Sequence, residues 1–171
     1  MKFDLELDAA AVERMTGVLG GYADRAGDLT PLWDTIIDVF ETVSDQRFRS
    51  RGGTGGWVPL APAYERQRQR QGKGTGILEY DSESGGRLRA SMTSREASYA
   101  VRRVRQDSVT IGTSLAIAAP HHRGHTARTR WGSHRIPARP LVDRDDLDEH
   151  FFIATANHVH GSDGQTAAGL V

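Results

Sequence analysis

The chain has 171 residues, enough for one domain with a substantial core, and the absence of cysteine excludes both a disulfide framework and a thiolate metal site. Its 22 lysines and arginines balance its 22 aspartates and glutamates, so the formal net charge is zero. The N-terminus lacks the apolar run of a secretory signal, and no window reaches the roughly 18 apolar residues of a membrane span, so we expect a soluble protein.

The zero net charge conceals three blocks of opposite sign. Residues 1–46 hold ten acids and three bases, a net −7; residues 47–140 hold 18 bases and six acids, a net +12; residues 141–171 hold six acids and one base, a net −5. Such segregation favours either a basic face for nucleic acid or complementary faces in an oligomer. The acid–base–acid order favours the oligomer, because a freely diffusing nucleic-acid binder usually keeps a positive balance.

Two helices are predicted in the first 50 residues. The first covers residues 8–20 and stops at Gly20-Gly21. The second begins at Thr30-Pro31, where threonine can cap and proline suits the first helical position, and it runs to about Arg49. Its apolar residues form one stripe, with the acids lying off it: Leu32, Ile36, Ile37, Phe40 and Val43.

Loops and short elements follow. Residues 50–62 (SRGGTGGWVPLAP) are predicted as a glycine/proline loop, and Pro62 opens a short helix that Gly72 closes. The RLRASM segment could be helix or strand. Residues 97–105 and 108–113 predict two strands, and the second alternates so that Val109 and Ile111 share a face.

The last third is predicted to contain one long helix. Residues 114–124 form one or two helical turns stopped by Pro120, and residues 125–142 are mostly loop. In the final helix Asp143 or Asp145 can cap, and four apolar residues can pack: Leu147, Phe151, Phe152 and Ala154. We expect residues 1–160 to form a single domain and residues 161–171 a flexible tail.

Neither a metal site nor an enzyme is expected. Six of the seven histidines invite a metal hypothesis: His121, His122, His125, His134, His158 and His160. Zinc needs three or four convergent ligands, but the chain has no HExxH, and arginines around the first cluster would repel a cation. Since GxSxG and phosphate-loop patterns are also missing, we predict no catalytic residue, no metal and no cofactor.

Clustered arginines leave two interpretations open. One acid-free segment holds Arg123, Arg128, Arg130, Trp131, Arg135 and Arg139, and another holds Arg66, Arg68, Arg70 and Lys73. Arginine beside an aromatic ring is what phosphate contact and base stacking would use. Both residue types are also enriched at subunit interfaces, so composition does not separate the two functions.

Three patches, read in order over residues 40–155, resemble the tailed-phage virion morphogenesis family, which includes tail completion and head–tail joining proteins of Mu-like phages. They are FRSRGGTGGWVPLAPAYERQRQRQGKGTGIL, then GGRLRASM before a strand pair ending in SVTIGT, then a loop closing on IPARPLV. The matching residues are Trp57, Pro59, Leu60, Ile77, Leu78, Leu88, Ser91, Val109, Ile111, Gly112, Thr113, Pro137, Ala138, Arg139 and Pro140. Where the family has a Tyr-Ala step and a His-Gln-x-Gly motif, this chain has SLAIAAPHHRGH.

The resemblance implies a non-catalytic structural protein of the head–tail junction. The expected fold is α+β, with a small, mostly antiparallel sheet packed against two or three helices and with long interface loops. The expected assembly is a homo-oligomeric ring, hexameric or alternatively dodecameric, at the neck or tail top of a virion assembled in the host cytoplasm. Its partners would be other neck and tail-tube proteins, with DNA only in passage and no membrane. The alternative is a nucleic-acid-binding module that uses the basic residues 121–140.

We expect the subunit interface to use Trp57, Pro59, Leu60, Arg66, Arg68, Arg70, Trp131, Arg135, Pro137, Arg139 and Pro140. Trp57 should anchor its loop against the subunit core or a neighbour. Arg139 should make an ion pair or a backbone-carbonyl contact that fixes the second loop. On this hypothesis, replacing Trp57 or Arg139 by alanine weakens assembly while the monomer stays folded.

Overall fold

The structure, a computed structural model, describes residues 9–74, 76–78, 85–129 and 132–161. Within these ranges the helices and strands are α1 (Ala9–Gly27), α2 (Thr30–Arg49), α3 (Pro62–Arg70), α4 (Gly85–Thr93), β1 (Ala100–Val104), β2 (Val109–Thr113), α5 (Ala118–Arg123), β3 (His125–Thr129), β4 (Gly132–Ile136) and α6 (Arg144–His160). The strands pair as two separate antiparallel sheets, β1 with β2 and β3 with β4. The predicted α+β class is confirmed, with more helices than the two or three expected.

Helix α2 lies at the centre of the core, as its apolar stripe predicts. Leu32, Ile36, Ile37 and Phe40 are all buried, and the helix packs against α4, α6 and the β1–β2 sheet. The helix bounds match the prediction, but the capping side chain does not. Asp28 Oδ1, rather than the Thr30 hydroxyl, accepts the Thr30 N–H at 3.0 Å, and this hydrogen bond lowers the pKa of Asp28.

Helix α1 continues through Gly20-Gly21 to Gly27, so its predicted end is wrong. Glycine inside a helix costs only about 1 kcal/mol relative to alanine, and tertiary contacts readily outweigh that cost. Here the last turn is held by α6: Arg25 Nε donates to the Val159 carbonyl at 2.9 Å, and His158 Nε2 lies 2.9 Å from the Arg25 carbonyl.

Helix α4 settles the ambiguous RLRASM segment and carries the most buried side chains. Leu88, Ser91 and Met92 are almost inaccessible to solvent. The Ser91 hydroxyl donates to the Leu88 carbonyl at 2.9 Å and contacts Thr113 Oγ1 at 2.7 Å, which ties α4 to β2. A buried hydroxyl with both roles satisfied is compatible with a tight core.

The buried Arg102 guanidinium joins α2, α4 and both strands of the first sheet. Its Nε donates to Glu41 Oε1 at 3.0 Å, its Nη1 donates to the Gly112 carbonyl at 2.9 Å, and the group lies 5.1 Å from the Phe40 ring centre. Its Nη2 reaches the carbonyls of Ser91 and Met92. A buried cation is tolerated because its charge is paired and its donors have acceptors.

The opposite charge blocks of the sequence meet inside the chain. Arg89 contacts Asp45 at 2.7 Å, and this hydrogen bond lowers the pKa of Asp45. Arg95 contacts Asp34 at 3.3 Å and also pairs with Asp38. These pairs, with Arg102–Glu41, join the acidic face of α2 to the basic segment that follows. The charge order therefore serves the subunit itself and is weaker support for pairing between subunits.

Two predictions in the last third of the chain are wrong. Pro120 does not stop a helix; it lies in the first turn of α5, where its missing N–H leaves no helical hydrogen bond unmade. Residues 125–129 and 132–136 form two paired antiparallel strands rather than a loop, and we call this pair the β3–β4 hairpin. Its prolines come only after β4, so they remove no ladder hydrogen bond, and alternation places His125, Ala127 and Ile136 on one partly buried face.

Helix α6 begins as predicted, with Asp143 Oδ1 accepting the Asp145 N–H at 3.4 Å. Leu147 and Ala154 are buried and Phe151 packs at the edge of the core, but Phe152 is 74 % exposed, so its predicted packing is wrong. Phe152 follows Phe151 by about 100° around the helix and therefore points away from α2. The predicted tail lies outside the described residues beyond Gly161.

Gly52 is a position that only glycine fits. Its φ is +109°, and a Cβ there would lie 2.5 Å from the Trp57 backbone nitrogen and 2.6 Å from its ring.

We expect Gly52→Ala to lower the free energy of unfolding by about 3 kcal/mol through strain and overpacking. Gly55, with ordinary φ and open space around it, is the matched control, and Gly55→Ala should change stability by less than about 0.5 kcal/mol. Urea denaturation checks both, and equal effects would contradict the assignment.

Candidate assembly surface

Two loops meet at one backbone carbonyl. Loop A is residues 50–61, between α2 and α3, and loop B is residues 137–143, between β4 and α6. The Pro140 carbonyl in loop B accepts the Trp57 Nε1–H at 2.9 Å and the Arg47 Nε–H at 3.0 Å. This double acceptance fixes loop A, loop B and the end of α2 relative to one another.

Arg47 links the end of α2 to the start of α6. Its side chain is only 7 % exposed, and its two terminal nitrogens pair with the carboxylates of Asp146 and, at 3.2 Å, Asp143. Its backbone carbonyl accepts the Gly52 N–H at 2.8 Å. A desolvated guanidinium is stable here because carboxylates and a carbonyl supply its hydrogen bonds.

Trp57 anchors loop A against the core of its own subunit. It is 5 % exposed and lies edge-on to Phe48, with ring centres 5.3 Å apart and planes at 82°. The left-handed Gly52 turns the chain so that the indole reaches this position. The structure therefore shows the contact with the subunit core, one of the two surroundings predicted for Trp57.

Arg139 makes the backbone-carbonyl contact that the sequence analysis predicts. Its Nε and Nη2 both donate to the Val58 carbonyl, at 3.2 and 3.1 Å. Its backbone N–H donates to the His121 carbonyl at 2.8 Å, and Leu141, two residues further on, donates its N–H to His122 Nδ1 at 3.1 Å. Loop B is therefore attached to loop A on one side and to α5 on the other.

The arginines of α3 have unlike surroundings. Arg68 is buried and its Nη1 donates to the Gly76 carbonyl at 2.9 Å, so it closes the turn after the helix. Arg66 and Arg70 are exposed. The alternation of arginine and glutamine thus places one member inside and leaves two available to a partner.

The predicted interface residues divide by exposure. Trp57, Arg68 and Arg139 are buried and make contacts within the subunit, and their place in an interface stays a prediction. The remaining described members have some exposure, and their interface role stays a prediction: Pro59, Leu60, Arg66, Arg70, Arg135, Pro137 and Pro140. Trp131 lies outside the described residues.

The β3–β4 hairpin presents an exposed face with two arginines. The register pairs Thr126 with Arg135 and Arg128 with Ser133, which puts all four side chains on one face, and all are exposed. Sequence reasoning missed this arrangement because residues 125–142 were interpreted as a loop. The alternation of side chains in HTART and GSHRI is the sequence signal that would have predicted these two strands.

Arg47 was also missed as a site residue, although its spacing gives a signal. Ile36, Phe40, Val43 and Arg47 follow one another at four, three and four residues, so Arg47 lies on the apolar stripe of α2. An arginine on a buried stripe requires acidic or carbonyl partners. The acids before α6 are the partners that the sequence offers.

The histidines lie in different parts of the fold. His121 and His125 meet edge-on with ring centres 5.9 Å apart where α5 passes into the hairpin, whereas His158 and His160 contact the last turns of α1. In the described part of the chain, no group of three or more His, Cys, Asp or Glu side chains is placed to hold a metal ion.

The sequence profile of the Phage virion morphogenesis family matches residues 9–158. The chain belongs to this family. The match covers both loops, both strands of the hairpin, all of α1 and most of α6. Membership gives the protein a structural or assembly role in a phage virion, rather than pointing to catalysis, and makes it a virion component.

No curated protein and no solved structure shows a significant match. No helix in the described ranges is long and apolar enough to cross a membrane.

Burial changes the expected outcome for Trp57 in this family member. We expect Trp57→Ala to destabilise the monomer itself by about 3–5 kcal/mol, because it leaves a cavity beside Phe48. Trp57→Phe keeps most of the ring and loses the hydrogen bond to Pro140, and should cost about 1 kcal/mol. Urea denaturation monitored by circular dichroism measures both. Equal stability of Trp57→Ala and wild type would show that the indole does not anchor loop A.

His121 should make stability depend on pH. Burial, with smaller contributions from His125 and Arg139, holds the pKa of His121 below its ordinary value of 6.5. As the pH drops below about 6.5, His121 is protonated in the unfolded chain before it is protonated in the folded chain. The free energy of unfolding therefore decreases as the pH drops below about 6.5. In His121→Gln this part of the pH dependence should disappear. The measurement is the free energy of unfolding between pH 7.5 and 5, and parallel curves for both proteins would exclude His121 as its source.

Proposed function

We propose that the protein is a subunit of a ring at the head–tail junction, where it completes the tail and joins it to the DNA-filled head. The observation that carries the proposal is the family match over residues 9–158. A hexamer is the first expectation and a dodecamer the second. Other neck and tail-tube proteins are the proposed partners, at the tail top of a particle assembled in the host cytoplasm.

The locked loops support a role in assembly. Trp57, Arg139 and Arg47 hold loops A and B by buried hydrogen bonds, so the exposed residues of those loops are presented on a fixed backbone. A preordered surface loses little conformational entropy on association, and that strengthens binding for a given contact area. Pro59 and Pro140 restrict the backbone further, because the proline ring fixes φ.

The charge balance supports a ring through which DNA passes. A strongly positive lumen would retain phosphates in transit. The formal net charge of this chain is zero, and arginines 47, 89, 95 and 102 are paired with carboxylates within the subunit. Part of the positive charge of the basic central block is therefore neutralised before any partner binds.

One observation favours the alternative of nucleic-acid binding. Arg128 and Arg135 share an exposed face of the β3–β4 hairpin with two hydroxyl side chains, Thr126 and Ser133. Guanidinium and hydroxyl groups both donate to phosphate oxygens. The same face is also suited to an acidic protein surface. The two functions therefore differ in the affinity for DNA that they predict and in how that affinity depends on salt.

The ring is tested by light scattering coupled to size-exclusion chromatography, with electron microscopy to count subunits. We expect wild type to form closed rings, and Arg135→Glu to raise the concentration needed for assembly by about fivefold while leaving the unfolding temperature unchanged. Arg103→Glu is the matched control, an exposed strand arginine outside the predicted interface, and should assemble normally. A chain that stays monomeric alone and with tail-tube protein would overturn the ring.

DNA binding across a salt series separates the alternative. A binder with several phosphate contacts loses affinity steeply between 50 and 200 mM salt, in proportion to the contacts made. The proposed ring protein should show little affinity for DNA even at the lowest salt concentration. Tight, salt-sensitive binding that Arg128→Glu abolishes would favour the nucleic-acid module instead.

A further inference from the structure

The first half of α1 has an exposed surface. We define the α1 arm as residues 10–20; all of its described side chains are exposed. Contact with α6 begins only later, where Tyr22 meets His160 and Arg25 meets Val159. On α6 these contacts fall on the last turn, at residues 158–160, so the arm adjoins the C-terminal end of α6.

The α1 arm carries an apolar stripe without cover in the described structure. Met15, Val18 and Leu19 lie at i, i+3 and i+4 and are 62 %, 56 % and 59 % exposed. An isolated helical stretch of this length is marginal in water, and Gly17 and Gly20 each cost about 1 kcal/mol more. A helix of this composition requires a packing partner to persist.

Helix α6 presents a second uncovered apolar patch. Phe152 is 74 % and Ile153 38 % exposed, on the side of the helix opposite the buried Leu147 and Ala154. Glu149 is exposed on that outward side, one turn before the apolar pair. The outward face of α6 thus has an acid followed by apolar side chains.

The α1 arm has the complementary order. Arg14 flanks the stripe one turn before Val18, whereas Glu13 points to the opposite side of the helix. With the two helices laid parallel, Arg14 meets Glu149 while the stripe meets Phe152 and Ile153. Opposite charge and apolar contact therefore coincide in one register.

We propose that the α1 arm docks on the outward face of α6 in a second copy of the chain. The arm does not cover this face in its own subunit, because Leu19 and Phe152 are both exposed there. Tyr22, just after the arm, contacts His160, whereas Phe152 lies about 12 Å from His160 along the helix at about 1.5 Å per residue. Each copy offers one arm and one acceptor face, so the contact is heterologous and closes as a ring when the rotation permits. The inference rests on the proposed ring and names one of its contacts.

A charge exchange tests the register. We expect Arg14→Glu and Glu149→Arg each to raise the dissociation constant of assembly by about fivefold or more, and the double variant to restore it, because the pair is re-formed with signs reversed. Glu13→Arg, on the other side of the arm, is the matched control and should assemble like wild type. Analytical ultracentrifugation of the full chain measures each constant. Failure of the double variant to recover would overturn the pairing.

Loss of apolar contact is the second test. Leu19→Asp should weaken assembly by about tenfold to a hundredfold without lowering the unfolding temperature of the monomer, because Leu19 is exposed there. Rings that form normally with Leu19→Asp and Arg14→Glu would overturn this docking but leave the proposed function standing, whereas a wild-type chain that never assembles would overturn both.

Residues 162–171 of the same chain are the competing occupant. If they covered the stripe, Leu19→Asp would lower the monomer's unfolding temperature, and a chain ending at Gly161 would show the same loss. That pair of results would overturn docking on a second copy. Our expectation is that the shortened chain has the unfolding temperature and the dissociation constant of wild type.

Discussion

The buried guanidinium of Arg47 determines where the second half of the chain lies. It leaves α2 at the edge of the core and meets one carbonyl of loop B and two carboxylates at the start of α6. Because a desolvated charge without partners is costly, loop B and the first turn of α6 must lie where they satisfy it. Trp57 shares the same Pro140 carbonyl, so loop A is positioned by the same requirement. The geometry of both loops thus follows from one buried charge.

A second buried arginine, Arg102, holds α4 and the β1–β2 sheet against the other side of α2. Between them, these two groups pair the central basic block with acids from both acidic blocks. The exposed charges, among them those on α3 and the hairpin, and the apolar residues of the α1 arm and of α6 remain for a partner. An assembly protein of this family therefore separates charges that hold the subunit from surfaces that are free to bind.

Much of the fold could be predicted because it depends on local patterns. The stripe of α2, Pro62 at the start of α3, the alternation of β2 and the Asp143 cap are each readable from neighbouring residues. Among the predictions that failed, the end of α1 depends on contacts between distant segments, whereas the first-turn position of Pro120 and the alternation of β3 and β4 are local features of the sequence. Gly20 and Gly21 stay helical because tertiary contacts, such as the hydrogen bond from Arg25 to α6, outweigh the cost of glycine in a helix. Phe152 looked like a core residue because hydrophobicity alone does not give the direction of a side chain on a helix.

By itself the sequence determined the α+β class, the family's ordered motifs and the central amphipathic helix, because these depend on spacing along the chain. Only the tertiary structure decided which arginines are buried. Arg47, Arg68, Arg102 and Arg139 are inside, whereas Arg66, Arg128 and Arg135 are exposed. Nothing in the residue type distinguishes these groups. The physical reason is that a guanidinium can be buried only where carboxylates and carbonyls from distant segments converge on it, and that convergence exists only after the chain has folded.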